Sequence, residues 1–190
     1  MAAITISRQM GSMGRQVAEQ VAVSLGYRLL WRELINQAAS RAQVPEVALA
    51  TIDELDLLGL RPSAKDVRAY HAAVRDLMFE MADLGSVVIV GRAGQAILRG
   101  SQGVLHVRIF APFDLRVTRI AEQHNQSPEA ARAQVQASDQ NRKRYLRHYY
   151  HAGWDDPDLY DVMINTANLG VPAAAGVVYA ALYQKLQNEA

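Results

Sequence analysis

Four consecutive apolar β-branched residues, Val87-Val88-Ile89-Val90, stand between Gly85-Ser86 and Gly91. A strand with one wet face alternates apolar and polar residues. An unbroken apolar run of this length predicts a strand covered on both faces, as in a parallel sheet with helices on each side. The rest of the chain agrees. Ala3-Ile4-Thr5-Ile6-Ser7 predicts a first strand, and residues 104–110 another, closed by Pro112. Shorter ones are predicted at residues 27–30 and 162–165. Between them lie helical patterns: Val17, Ala18, Val21, Ala22 and Leu25 on one face with Gly26 as the stop, an alanine-rich stretch from 32 to 83, helices at 114–124 and from 128 to about 151, and a closing helix over 171–186. Pro45 and the Gly59-Leu60-Arg61-Pro62-Ser63 stretch break the long helical region. Strands separated by helices predict an α/β fold. No internal repeat or low-complexity linker divides the chain, so residues 1–190 are expected to form one domain.

A chain of 190 residues can bury a sizeable core without disulfides. It has no cysteine, which excludes thiolate chemistry and cysteine metal sites and fits a reducing cytoplasm. No apolar run approaches the roughly 18 residues of a membrane span. Nor does a basic segment followed by an apolar stretch mark a signal peptide at the start. The net charge of +1 gives no general pull toward nucleic acid or membrane. The basic residues are uneven in kind, 17 Arg against three Lys (Lys65, Lys143, Lys185). Arginine is the planar, bidentate reader of phosphate, so the placement of the arginines is what can bear on function.

Between the first strand and the first helix lies Arg8-Gln9-Met10-Gly11-Ser12-Met13-Gly14. In α/β proteins such a loop can hold phosphate, because its backbone N–H groups and the helix N-terminus face the anion. Gly11 and Gly14 let the backbone approach closely, and Arg15 stands one residue after the last glycine. Against the pattern G-x-x-x-x-G-K-[ST], Gln9 replaces the first glycine, Arg15 the lysine, and Gln16 the magnesium-binding hydroxyl. Ser12 could bond a phosphate oxygen or cap the helix.

Several segments, in order, resemble the cytidylate kinase-like family of P-loop nucleotide kinases. They are residues 4–18 with Leu25-Gly26-Tyr27, and Val88-Ile89-Val90-Gly91-Arg92-Ala93-Gly94-Gln95-Ala96-Ile97-Leu98. Then come Val107-Arg108-Ile109-Phe110-Ala111-Pro112 followed by Arg116 and Arg119, then Asp139-Gln140-Asn141-Arg142, and finally Leu159-Tyr160-Asp161-Val162-Met163-Ile164-Asn165-Thr166. The resemblance implies a three-layer α/β/α P-loop kinase fold with a five-stranded parallel sheet. It also implies a helical acceptor-binding insertion near residues 31–84 and a lid near 120–155. The implied reaction moves the ATP γ-phosphoryl group to a nucleoside monophosphate or similar small acceptor. Such chemistry needs positioning and positive charge more than a nucleophile.

By that resemblance Gly11, Ser12, Met13, Gly14, Arg15 and Gln16 hold the donor phosphates, with Arg15 reaching toward the γ-phosphate. Arg116 and Arg119 approach the donor side, Arg119 free to stack on adenine. Arg92 grips the acceptor phosphate, and Arg142 closes from the lid with Asp139 orienting it or meeting the sugar. Arg15, Arg142 and Asp139 are the expected catalytic residues. ATP is the implied cofactor together with Mg²⁺, for which the sequence offers no clear protein ligand. Ala93 and Val90 stand where cytidylate kinases carry acids, so the acceptor is left open. A nucleotide-binding module with little transfer activity is the second reading.

Residues 141–154 interleave basic and aromatic side chains (Asn-Arg-Lys-Arg-Tyr-Leu-Arg-His-Tyr-Tyr-His-Ala-Gly-Trp). With a net charge of +1 and no RNA-binding motif, a lid helix accounts for them better than nucleic acid does. Packing of that helix on a second copy of the chain stays open. His148 and His151 with Asp155 and Asp156 lack a third residue at metal-ligand spacing. Glu33, Glu46, Asp53, Glu54 and Asp56 form no acid–base pair. Met78 and Met81 are expected in the core with Leu77 and Leu84. Nucleotides are therefore the expected partners, with no nucleic acid and no membrane.

Overall fold

The structure is a computed structural model that describes residues 2–43 and 63–189. Pro45, Glu46, Asp53, Glu54, Asp56 and most of the Gly59–Ser63 break lie outside the described residues; Ser63 itself is inside. Five parallel strands form one sheet: β1 (Ala3–Arg8), β2 (Arg28–Leu30), β3 (Val87–Val90), β4 (Val104–Phe110) and β5 (Val162–Asn165), in the order β2-β3-β1-β4-β5. The helices are α1 (Gly14–Leu25), α2 (Arg32–Ala42), α3 (Ala64–Leu84), the one-turn α4 (Gly94–Ile97), α5 (Phe113–His124), α6 (Pro128–Tyr150) and α7 (Val171–Glu189). The α/β class and parallel sheet read from Val87–Val90 are what the structure has, and all four residues of β3 are buried.

Successive side chains of a strand face opposite sides, and the core divides accordingly. On one face Ile4, Ile6, Val88, Val90, Leu105, Val107 and Ile109 pack against Val17, Ala18 and Val21 of α1 and Ala174, Val178 and Leu182 of α7. On the other, Ala3, Val87, Ile89 and Val104 meet Leu34 and Ala38 of α2 and Tyr70, Val74, Leu77 and Met78 of α3. Leu84 is a correction: it is 63% exposed. As the last residue of α3, it lies beyond the layer that covers Leu77 and Met78.

The second face turns polar along β1 and β4. Thr5, Ser7, His106 and Arg108 are buried there. Thr5 Oγ1 and His106 Nδ1 share a hydrogen bond of 2.7 Å, and the Trp154 indole N–H donates to Ser7 Oγ at 3.0 Å. Arg108 donates to the Trp154 carbonyl at 2.6 Å and lies 4.3 Å from the centre of its ring. These bonds fasten the segment after α6 to the middle of the sheet.

β1 is central, with β3 on one side and β4 on the other. In open parallel sheets, ligands bind beyond the carboxyl ends of the strands where the strand order reverses. Here that point is the end of β1, at Arg8.

Candidate functional site

The loop from β1 to α1 is a tight fold of backbone. The N–H of Ser12 donates to Gln9 O, Gly11 has φ +76°, and Met13 at the α1 N-cap is left-handed at φ 58°. The first-turn amides of α1 have no intrahelical acceptor, so they are free to meet an anion. Ser12 does not cap α1. It is fully buried, donates to Gln9 O at 2.8 Å and lies 3.2 Å from Ile109 O. The tight turn at Gly11 points this side chain at β4, and α1 has no side-chain cap.

A cavity of about 590 Å³ opens on this loop, lined among others by Arg8, Gly11, Gly14, Trp31, Arg119 and Arg142. That volume is in the range of small-molecule sites, roughly 300–1,000 Å³. Arg15 and Gln16 stand at the rim. The Arg15 side chain is 61% exposed, its Nε donates to Glu19 Oε1 at 2.7 Å, and its guanidinium lies 4.7 Å from the Trp31 ring centre. Arg119, which also lines the cavity, donates to Thr166 O at 2.8 Å and Gly11 O at 3.3 Å, bridging the loop to the segment after β5.

Gly91, Arg92 and Ala93 follow β3 and all have left-handed φ, at 80°, 54° and 57°. Non-glycine residues held there cost on the order of 1 kcal/mol each and gather at functional sites. Arg92 projects from this loop, and Arg142 from α6. Burial pulls the Arg8 and Arg92 guanidiniums down to about 10, Arg92 adding to the effect on Arg8. Arg142 falls to about 9, through burial first and the charge of Arg8 second. Three mutually repelling cations thus converge between the two glycine loops. Arg142 Nη1 is buried with no hydrogen-bond partner. A buried donor without an acceptor is costly, and an anion at this point would relieve both the repulsion and the missing bond.

Arg116 and Asp139 have other duties than those the sequence suggested. Arg116 is 3% exposed, and its guanidinium grips both oxygens of Asp139 at 3.1 and 2.7 Å. It also donates to Ala111 O and Met10 O. Asp139 therefore secures α6 to α5 and, through Arg116, to the loop from β1 to α1, and its charge favours the cationic form of Arg142. Further along α6, His71 of α3 is wedged among Tyr145, Tyr149 and Tyr150, with ring centres 5.7, 4.1 and 6.0 Å away. Its Nδ1 is 3.3 Å from the Tyr150 hydroxyl. The tyrosines of residues 141–154 thus pack against α3, and Tyr145 and Tyr150 also lie within electrostatic reach of Arg92. Among the described residues no group of three or more His, Asp or Glu could hold a metal ion, and no helix is long and apolar enough to cross a membrane.

Arg8 and Trp31 went unmarked in the sequence. The signal for Arg8 was a cation at the carboxyl end of the first strand, directly before the glycine loop. Trp31 carried none, because only folding brings the end of β2 beside that loop.

The sequence model of the family described as "Cytidylate kinase-like family" matches residues 3–168. A cytidylate kinase of Halobacterium salinarum is 32% identical over 94 residues, 48% of this chain and 49% of that one. A uronate isomerase of Corynebacterium glutamicum is 25% identical over 138 residues, 73% of this chain and 26% of that one. The matched region thus spans about half and about a quarter of those two relatives. A cytidylate kinase of Thermococcus kodakarensis is 28% identical over 183 residues, 94% of this chain and 86% of that one. Among solved structures, an uncharacterized protein from Eubacterium ventriosum superposes with a TM-score of 0.75 at 23% identity, covering 96% of this chain and 99% of that one. A gluconokinase from Sinorhizobium meliloti does so at 0.58 and 16%, covering 98% and 94%. At these identities the likeness is one of fold.

Proposed function

The chain belongs to the cytidylate kinase-like family, and from that premise we propose that it is an ATP-dependent phosphotransferase. It moves the γ-phosphoryl group to a nucleoside monophosphate or a small acceptor of similar charge, in the cytoplasm. The observation that carries this reading is one cavity in which a glycine loop opens a helix and Arg8 and Arg142 face that loop, with Arg92 of the second glycine loop beside them. Transfer of a phosphoryl group is positioning and charge stabilisation above all.

In this reading the amides of residues 11–16 hold the donor's β-phosphate at the α1 N-terminus, and Arg15 adds charge from the rim. The flat face of Arg119 takes the adenine. Arg92 holds the acceptor phosphate, and Arg142 lies over the transferring group with its buried Nη1 as a ready donor. Asp139 is a positioning residue that fixes α6 through Arg116. The polyphosphate of ATP fits the cradle. Mg²⁺ would be held by phosphate oxygens and water, since Gln16 replaces the hydroxyl and no cluster of metal-ligating side chains lies among the described residues.

One observation favours a nucleotide-binding module with little turnover: Arg15 faces Glu19 and Trp31 at the rim rather than the loop's centre. ADP release measured against a panel of nucleoside monophosphates separates the two. Turnover on at least one acceptor is expected. ATP binding without turnover on any acceptor would favour the module.

A further inference from the structure

We infer that Arg8, rather than Arg15, supplies the side-chain cation that meets the γ-phosphoryl group. The inference rests on the phosphotransferase reading above.

The geometry starts at the end of β1. Arg8 leaves the strand between the two glycine loops and touches both. A Cβ built on Gly14 would overlap Arg8 Cβ and lie 3.1 Å from its Cγ. One built on Gly91 would sit 2.5 Å from Arg8 Nη1. Gly14 thus makes room for the root of this side chain and Gly91 for its tip. Two glycines at the two loops that would hold donor and acceptor form a passage for one arginine. At the end of the passage the guanidinium lies within electrostatic reach of both Arg92 and Arg142.

Arg15 is placed differently. Its guanidinium is mostly in water, paired with a carboxylate and stacked beside Trp31. A cation so screened stabilises a distant charge weakly. Arg8 is half-buried at the cavity wall, and the charges acting on it are those of the cations Arg92 and Arg142. Charge stabilisation is strongest in such a site, where fixed donors await the charge that develops. A planar guanidinium also suits two oxygens of one phosphoryl group at once.

The step balances with no added reactant. An oxygen of the acceptor phosphate dianion forms a bond to the γ-phosphorus. The bond from that phosphorus to the bridging oxygen breaks, and its electron pair leaves with ADP. Arg8 contacts the group in flight and keeps its proton throughout.

A side chain that touches only the γ-phosphate must favour ATP over ADP, whatever the acceptor. The test measures calorimetric affinities of ATP and ADP for the parent chain, Arg8→Gln, Arg8→Lys, Gly91→Ala and Arg15→Gln, each checked for a cooperative melt. The parent is expected to bind ATP more tightly than ADP. Arg8→Gln should reduce that preference at least tenfold, and Gly91→Ala, which displaces the guanidinium without removing it, should do the same. Arg8→Lys should keep part of it and serves if Arg8→Gln does not fold. Arg15→Gln should weaken ATP and ADP by similar factors. Preference retained in Arg8→Gln, or lost in Arg15→Gln, overturns the assignment while leaving the phosphotransferase reading intact. A parent that binds both nucleotides equally also overturns it. A parent that binds neither removes the reading on which it rests, and the assignment with it.

Discussion

Arg116 of α5 and Asp139 of α6 meet in a two-pronged pair, Nη1 to Oδ1 at 3.1 Å and Nη2 to Oδ2 at 2.7 Å, beside the loop from β1 to α1. The same guanidinium donates to Met10 O in that loop. One arginine therefore ties together the helix after β4, the long helix that carries Arg142, and the backbone that faces the cavity. Removing one partner of a buried pair leaves an uncompensated charge, at a cost of about 3–5 kcal/mol. Asp139→Asn should accordingly lower the melting temperature by roughly 10 °C in a chain of this size. A shift of only a degree or two in a thermal melt would mean the pair behaves as a surface contact.

Arg142→Ala should have the opposite balance. Its guanidinium is shielded from water, repelled by Arg8 and missing a partner at Nη1, so the fold has little to lose. Turnover should fall by about 10²–10³, the scale of losing one preorganised donor, while the melting temperature holds or rises. Both quantities are read on one variant, with whichever acceptor the parent uses.

His71 sets an acid limit on stability. Burial, with help from the charge of His148, lowers it to about 4, against 6.5 when free. Below pH 6.5 the unfolded chain takes a proton that the folded protein refuses until about pH 4. Stability is therefore complete above 6.5 and declines as pH falls toward 4, by on the order of 1–2 kcal/mol after discounting for its partial exposure. His71→Phe should flatten that part of the pH–melting curve. An unchanged slope would show that another group controls it.

Gly14 tests the loop itself. A side chain there would collide with Arg8 and crowd Ile109 Cβ, 3.2 Å away. Overpacking of this kind costs about 1–3 kcal/mol, within reach of a chain that still folds. Gly14→Val should melt at a lower temperature but cooperatively, and lose ATP binding. Unchanged ATP affinity would dissociate the loop from the nucleotide.

What the sequence determined by itself was local. The apolar run Val87–Val90 required cover on two faces, Gly26 ended α1 with φ +66° and its amide bonded to Ala22 O and Val23 O, and Gly11 and Gly14 marked a loop where backbone comes close to something. Each follows from the conformations that a few neighbouring residues allow, so each could be read in order along the chain. The arginines could not be sorted in that way. Arg8, Arg15, Arg116 and Arg142 are alike as letters. Tertiary packing alone decided that Arg116 is buried on Asp139, that Arg15 lies in water beside Glu19, and that Arg8 passes between Gly14 and Gly91 to meet Arg92 and Arg142. Trp154, 147 residues from Ser7, bonds to it for the same reason. Burial, repulsion and hydrogen bonding depend on distance in space, and a parallel sheet brings the ends of β1, β3 and β4 together from positions about a hundred residues apart.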